Sequence, residues 1–299
     1  MVRASHWALG MLLAASGSLA LAAPPEWLQL IDDSCECRPA APTLLRWYGD
    51  AEPADEESPW DEPLCSDRPD FTESACTVGR GVVQLEMGYT YLFDDNGTAQ
   101  VHAHSYPETL LRVGVLADWL ELRVGWTYAA DSIRGVTGTN DGHEDLYVGM
   151  KLGLTEQQGI LPEMAIMPQM TLPTGSRIYT NDRLLPGVNW LYSWEINEFI
   201  STGGSTQINL NVDATSRETY VDFAQSWTVG YSLTDRLGAF TEWFMLSPSG
   251  AQTMPTEHYI DGGFTYSVTN NLQLDIRAGK GLSDGAIDYF TGAGLVVRF

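Results

Sequence analysis

From Gly81 to the C-terminus, apolar and polar positions alternate with a period of two, the pattern of β-strands that keep one face in an apolar medium. In the first such stretch Val83, Leu85, Met87, Tyr89, Tyr91 and Phe93 share one face, and Gln84, Glu86, Gly88 and Thr90 the other. Leu111, Val113 and Val115 oppose Arg112 and Gly114, and Leu120, Leu122, Val124, Trp126 and Tyr128 oppose Glu121, Arg123, Gly125 and Thr127. The same alternation sets Leu146, Val148, Met150, Leu152 and Leu154 against Tyr147, Gly149, Lys151 and Gly153. It continues at Met164–Leu172, Val188–Ile196, Phe199–Val212, Tyr220–Tyr231, Leu237–Leu246, Ile260–Val268 and Leu272–Ala278. The last stretch, Asp288–Phe299, puts Val297, Leu295, Ala293 and Thr291 on one face, with Arg298, Val296, Gly294 and Gly292 on the reverse. With a weaker stretch leading into Glu108, the pattern predicts about twelve strands, each near the roughly 9–11 residues that cross a bilayer at a tilt.

The connections alternate in length. Short, turn-like ones at Leu116–Trp119, Thr155–Gly159, Asn197–Glu198, Leu233–Arg236 and Thr269–Asn271 interleave with longer polar ones. The longer ones are Asp94–Tyr106, Ala129–His143, Pro173–Gly187, Asp213–Thr219, Ser247–Thr256 and Leu282–Ala286. Tight turns at one rim and longer loops at the other are what an up-and-down barrel shows, and an even strand number leaves both chain ends periplasmic. The expected fold is therefore all-β: a transmembrane up-and-down antiparallel barrel of about 12 strands over residues 81–299, preceded by an irregular, cysteine-bearing periplasmic extension. A secreted β-sandwich also alternates, but its polar face points outward. Here charge, Gly and Thr sit mid-strand on the polar faces, and Trp126, Tyr128, Trp190, Trp194, Trp227 and Trp243 fit two aromatic girdles. Pro162 and Pro168, inside the fifth strand, each remove a ladder donor, so a bulge is expected there.

Composition adds the compartment. Arg3, the apolar or small run Trp7–Leu21 and the Ala20-Leu21-Ala22 site read as a secretory signal over residues 1–22. A formal net charge of -23 argues against a nucleic-acid partner, because phosphate binding needs clustered cations. Residues 23–80 form an acidic, proline-rich extension whose charges run through Asp50, Glu52, Asp55, Glu56, Glu57, Asp61 and Glu62. It contains all four cysteines, Cys35, Cys37, Cys65 and Cys76, an even number that fits disulfides in an exported chain. Cys35 and Cys37 are too close to favour bonding each other, so each is expected to reach Cys65 or Cys76. A metal site is the competing reading; C-x-C is tighter than usual zinc spacing and no His lies nearby. No cofactor signature is present.

The stretches Ser66-Asp-Arg-Pro-Asp-Phe-Thr-Glu-Ser74 and Val83-Gln-Leu-Glu-Met-Gly-Tyr-Thr-Tyr91 resemble a family of Gram-negative outer-membrane proteins. Its members are abundant in planctomycete-type bacteria and are described as transporter-like or as proteins of a phenol-degradation pathway. The resemblance continues through Pro107-Glu-Thr-Leu-Leu-Arg112, Leu172-Pro-Thr-Gly175 and Tyr231-Ser-Leu-Thr-Asp-Arg-Leu-Gly238. It implies a porin-like barrel in outer-membrane lipid that passes small solutes, aromatic ones included. It also implies that the terminal Phe299 is the signal read by the outer-membrane assembly machinery.

With the apolar faces toward lipid, the lumen receives Glu86, Arg112, Glu121, Arg123, Lys151, Glu163, Glu195, Glu242, Asp261, Asp275 and Arg277. The Leu116–Trp119 turn sets Arg112 directly across from Arg123, an unfavourable like-charge pair unless a carboxylate intervenes. Glu121, diagonal to Arg112, and Glu86 on the preceding strand predict an Arg-Glu cluster in one wall. Across the lumen, the Thr269–Asn271 turn sets Arg277 opposite Gly263 and diagonal to Asp261 and Thr265. These charges either line a water path that sorts solutes by sign or pair off and plug the lumen. Two other classes compete. A lipid hydrolase would draw on Ser105 beside His102 and His104, although no G-x-S-x-G elbow appears. A surface anchor would use the polar loops around Gly138, Asn140, Asp141, Gly142, Asn181 and Asp182, which lack a calcium-loop spacing.

Overall fold

A computed structural model of the chain describes residues 43–45, 60–95, 97–213, 215–251 and 254–299. The signal-like segment 1–22, Cys35, Cys37 and the acidic residues from Asp50 to Glu57 lie outside them.

Among the described residues, twelve antiparallel strands close into a barrel. They are β1 (Val83–Asp95), β2 (Gln100–Ser105 and Thr109–Gly114), β3 (Leu120–Trp126 and Tyr128–Ile133) and β4 (Asn140–His143 and Leu146–Thr155). Then come β5 (Glu163–Leu172), β6 (Leu185–Asn197), β7 (Ile200–Val212), β8 (Thr219–Ser232), β9 (Leu237–Ser249), β10 (Glu257–Thr269), β11 (Leu272–Gly281) and β12 (Tyr289–Arg298). Every strand pairs with its sequence neighbours, so the topology is up-and-down. The expected closing contact forms: β12 runs against β1 from Gln84↔Arg298 to Phe93↔Tyr289. Phe299 extends it by donating its N–H to the Val83 carbonyl at 2.8 Å.

The barrel is charged inside and greasy outside. Arg112, Glu121 and Lys151 on the inner face are 0% exposed, whereas Leu122 and Ile276 on the outer face are 44% and 56% exposed. A soluble sandwich would show the reverse, and a continuous apolar exterior of this extent belongs against hydrocarbon. Trp190 and Trp227 stand on that exterior, in ring contact with Tyr192.

Two expected outer loops are mostly strand. Gln100–Ser105, in the expected loop Asp94–Tyr106, and Asn140–His143 with all but the first residue of Tyr128–Ile133, in Ala129–His143, continue the sheet above the belt. Their faces are too polar for alternation to mark them, because the paired backbone rises where neither face needs to be apolar. At Pro168 the ladder to β4 is interrupted without a change of register: Gly149↔Gln169 and Leu152↔Ile166 pair, and the residues between do not. The register shift itself falls between Gly153 and Thr155. Pro162 precedes β5 and accepts a hydrogen bond from Thr155 Oγ1 at 3.1 Å.

Candidate functional site

The last part of the N-terminal extension is not beside the barrel but inside it. It comes in at the periplasmic rim, where Leu64 N–H donates to the Asn270 carbonyl at 2.9 Å and Arg298 Nη2 donates to the Glu62 carbonyl at 2.8 Å. It leaves at the same rim, where Thr77 and Arg80 bond Asp118 in the β2–β3 turn. Between these points residues 64–78 loop through the lumen without regular structure, with Leu64, Asp67, Thr72, Ala75 and Val78 buried. A Cys65–Cys76 disulfide closes the neck of the loop. That pairing corrects the expectation that Cys35 and Cys37 would take these partners: the rim brings the two ends of the loop together, with their Cα atoms 6.7 Å apart, within disulfide reach.

One wall clamps the loop by charge. Arg112 lies across from Arg123, as the turn length implies, and Glu121 resolves the clash. Arg112 makes a bidentate pair with Glu121 (Nε–Oε1 2.8 Å, Nη2–Oε2 2.9 Å) and donates Nη1 to Glu86 at 2.9 Å. Arg123 Nη1 donates to Glu121 at 2.9 Å and also to Asp67. Lys151 Nζ donates to Asp67 Oδ1 and Oδ2 at 2.9 and 3.1 Å and to the Ser74 carbonyl at 2.8 Å. The expected Arg-Glu cluster therefore exists, and its surplus cations are met by the plug. Burial works against ionised Asp67, but Arg112, Lys151 and Arg123 together hold its carboxyl well below the usual range. The loop's Glu73 takes Arg123 Nη2 and, at 2.9 Å, Asn189 Nδ2.

The opposite wall holds the loop's other arm. Arg68 makes a bidentate pair with Asp275 (3.0 and 2.9 Å) and an ion pair with Glu108. Its guanidinium passes over Gly88 and Gly294, which face each other on β1 and β12. A Cβ on either would approach it to about 2.5 Å or less, so the two glycines leave the slot that the guanidinium fills. Glu242 accepts the N–H groups of Phe71 and Thr72 at 2.6 and 2.7 Å. Arg277 lies opposite Gly263, as expected, but reaches the Pro69 carbonyl at 2.8 Å and Thr90 instead of Asp261. The buried Asp261 carboxyl lies beside Glu242, its cross-strand partner, and Asp70, with Arg277 the cation nearby. Burial first, and then Asp261, push the Asp70 carboxyl up to about 7.

That shift carries a sign. The folded chain retains a proton that unfolded Asp70 releases near its ordinary value of 3.8, so stability falls as pH rises from there to about 7. The urea midpoint of the micelle-held protein is expected to drop between pH 5 and pH 8. Asp70→Asn is expected to flatten that drop, and an equally steep fall in the variant would count against Asp70 as its source.

Two inward-facing residues stay apart from the clamp. Glu163 accepts Ser193 Oγ at 3.0 Å, and Glu195 lies exposed near the periplasmic rim, its N–H bonded to Gln157. Asp67, Arg68 and Glu73 are the functional residues that alternation misses, because Ser66–Ser74 has no period. The signal for them was the resemblance itself, whose first motif begins before any strand.

The alternative chemistries are not assembled. Ser105 is 2% exposed and faces inward, whereas His102 and His104 point outward and bond Tyr91 and Tyr89 at 2.7 Å. Asp182 pairs with Arg217 at 3.1 Å, Asp141 accepts Tyr128 and Asn140 donates to Asp131 at 3.0 Å, so these loop groups bond among themselves. Among the described residues no group of three His, Cys, Asp or Glu is placed to hold a metal.

Above the plug the lumen divides. On the β1, β9, β10 and β12 side, Leu92, Phe244, Tyr259 and Phe290 pack together with Ile287, and the plug's Phe71 stacks on Phe244 at 4.5 Å. On the β2–β8 side a cavity of about 370 Å³ remains.

A closed barrel with a lipid-matched exterior and an ion-clamped inner loop defines an outer-membrane β-barrel protein with a plugged lumen. The chain belongs to the family described as "Putative MetA-pathway of phenol degradation", which matches residues 66–299 and so includes the plug from Ser66 onward. Its fold is similar to that of the COG4313 outer membrane channel from Pseudomonas putida F1. That match has a TM-score of 0.58 and 16% identity, covering 78% of this chain and 99% of that one. More distant likenesses include the NanC porin (TM-score 0.45, 10% identity, 72% and 98% covered). Another is the CymD monoaromatic hydrocarbon channel (TM-score 0.41, 9% identity, 74% and 89% covered). No curated protein sequence matches the chain.

Proposed function

We propose that this protein is a passive outer-membrane channel for small solutes, aromatic ones included, whose lumen is gated by its own N-terminal loop. The observation that carries the reading is the cavity of about 370 Å³ left above a plug that is held by side chains, not by strand pairing. A wall of fixed charges around such a loop sets which solutes approach and how firmly the loop sits. The inward charges Glu86, Arg112, Glu121, Arg123, Lys151, Glu242, Asp261, Asp275 and Arg277 have this positioning role; Glu163 and Glu195 face the periplasmic end of the path. No enzymatic step is part of the reading. Outer-membrane lipid surrounds the belt, and the exposed Phe299 is offered to the assembly machinery.

Planar-bilayer recording tests it. Wild-type protein is expected to give small, discrete current steps, and liposomes containing it are expected to admit small aromatic alcohols faster than sugars. Absence of any current, both in the wild type and after the loop is loosened by Asp67→Asn with Arg68→Gln, would sink the channel reading.

A further inference from the structure

Every histidine beyond the signal-like segment stands on the outward face at the long-loop end of the barrel, and each touches an aromatic ring there. His102 meets Phe93 at 5.2 Å, His104 meets Tyr91 at 5.2 Å, His143 meets Trp126 at 5.3 Å and His258 meets Trp243 at 5.8 Å. One stretch of this girdle also carries a cation. Lys280, one of two lysines in the chain, is exposed on the outward face of β11 and makes no ion pair among the described residues. The other, Lys151, clamps the plug. Strand register sets Lys280, Tyr289, Phe93 and His102 in one row across β11, β12, β1 and β2.

A lysine on a lipid-facing strand keeps its stem along the apolar surface and its charge among the headgroups. Beside it, His102 and His104 are oriented through Nδ1 by the hydroxyls of Tyr91 and Tyr89 at 2.7 Å. With the phenols donating, each imidazole carries its proton on Nε2, which bonds no other group among the described residues. The carboxylates of the same rim are occupied. Asp95 accepts the Gly97 N–H at 3.0 Å and the Gln100 amide at 2.6 Å, and Asp288 accepts the Asp95 N–H at 2.8 Å. Three strand spacings of about 4.8 Å separate Lys280 from His102, about 14 Å between Cα atoms. That span is too wide for one phosphate. Between the two ends the rings of Tyr289 and Phe93 lie stacked at 5.2 Å, an apolar platform on which the face of a sugar can rest.

We propose that this face docks a glycolipid of the outer leaflet whose sugar headgroup carries phosphate at both ends. Lys280 takes one phosphate, the Nε2–H groups of His102 and His104 take the other, and the sugar lies over Tyr289 and Phe93. Charge complementarity selects this occupant: unpaired donors at both ends of an aromatic platform suit two anions joined by a sugar, whereas a second copy of so acidic a chain would repel.

Native mass spectrometry tests the site, with the full-length protein released from detergent micelles after incubation with a diphosphorylated glycolipid or its monophosphorylated form. One diphosphorylated molecule is expected to stay bound, and the monophosphorylated form to be held about tenfold more weakly. Lys280→Gln, and His102→Gln with His104→Gln, are each expected to bring the diphosphorylated lipid down to that weaker level without changing heat-modifiable gel migration. Lys280→Arg is expected to retain it. Equal retention of the two glycolipids by the wild type, undiminished retention in the folded triple variant, or displacement of the lipid by excess inorganic phosphate would overturn the inference. The lipid sits outside the barrel, so the result is independent of whether current flows through it.

Discussion

Arg112→Ala is expected to lower the unfolding free energy of the barrel by about 3–5 kcal/mol, the range for removing one partner from a buried ion pair. Arg112 is 0% exposed and touches Glu121, Glu86 and the carbonyls of Cys65 and Cys76. Without it, Glu121 and Glu86 keep their burial but lose their nearest cation, and two carbonyls lose a donor. The loss comes mostly from the groups left behind, which provides an internal check. In the double variant Arg112→Ala with Glu121→Ala, part of the loss is expected to return, because the stranded carboxylate is gone. Urea unfolding in micelles, followed by tryptophan fluorescence, measures both. A single variant within about 0.5 kcal/mol of wild type would mean that the cluster is hydrated and contributes little.

Deleting residues 64–78 is expected to raise single-channel conductance about tenfold, since an unfilled twelve-stranded lumen is wider than the eight-stranded kind that side chains alone fill. The deletion removes Asp67 and Glu73 from Arg123 and Lys151, and Arg68 from Asp275 and Glu108. Water replaces them, so the wall charges become solvated rather than stranded. Selectivity should change too, because Arg123 and Lys151 then face the water path. The shift is toward anions on that wall, measured as the reversal potential in a salt gradient. Unchanged conductance in a barrel that still shows heat-modifiable migration would mean that the loop does not limit the path.

The prediction from pH concerns the same loop from the other side. Asp67 and Arg68 hold it by opposite charge over the neutral range, while Asp70 sits best as the protonated acid. Rising pH therefore loosens the loop at Asp70.

Much of the architecture was legible along the chain because alternation is local. A residue's face is set by its neighbours one and two positions away, so the inward placement of Arg112, Arg123, Lys151 and Arg277 followed directly. Turn length carried the next level: the β2–β3 turn made Arg112 face Arg123, and the β10–β11 turn made Arg277 face Gly263. The closing strand was legible as well, because a barrel leaves its first and last strands only each other to pair with.

The plug was not legible in this way. Residues 64–78 bond mainly through side chains to wall positions far off in sequence: Arg68 to Asp275, Thr72 to Ser226, Lys151 to Asp67. No periodicity encodes such partners, because an irregular loop presents its groups in directions that only the finished lumen selects. The Cys65–Cys76 pairing has the same origin, as does Arg277 choosing the Pro69 carbonyl over Asp261. By itself, then, the sequence determined an exported barrel with a lipid-facing belt and a charged interior. Only the tertiary structure decided that the interior is filled by the chain's own loop and that a cavity is left above it. The reason is that strand faces follow from neighbouring residues, whereas pairing across a lumen depends on where distant groups meet.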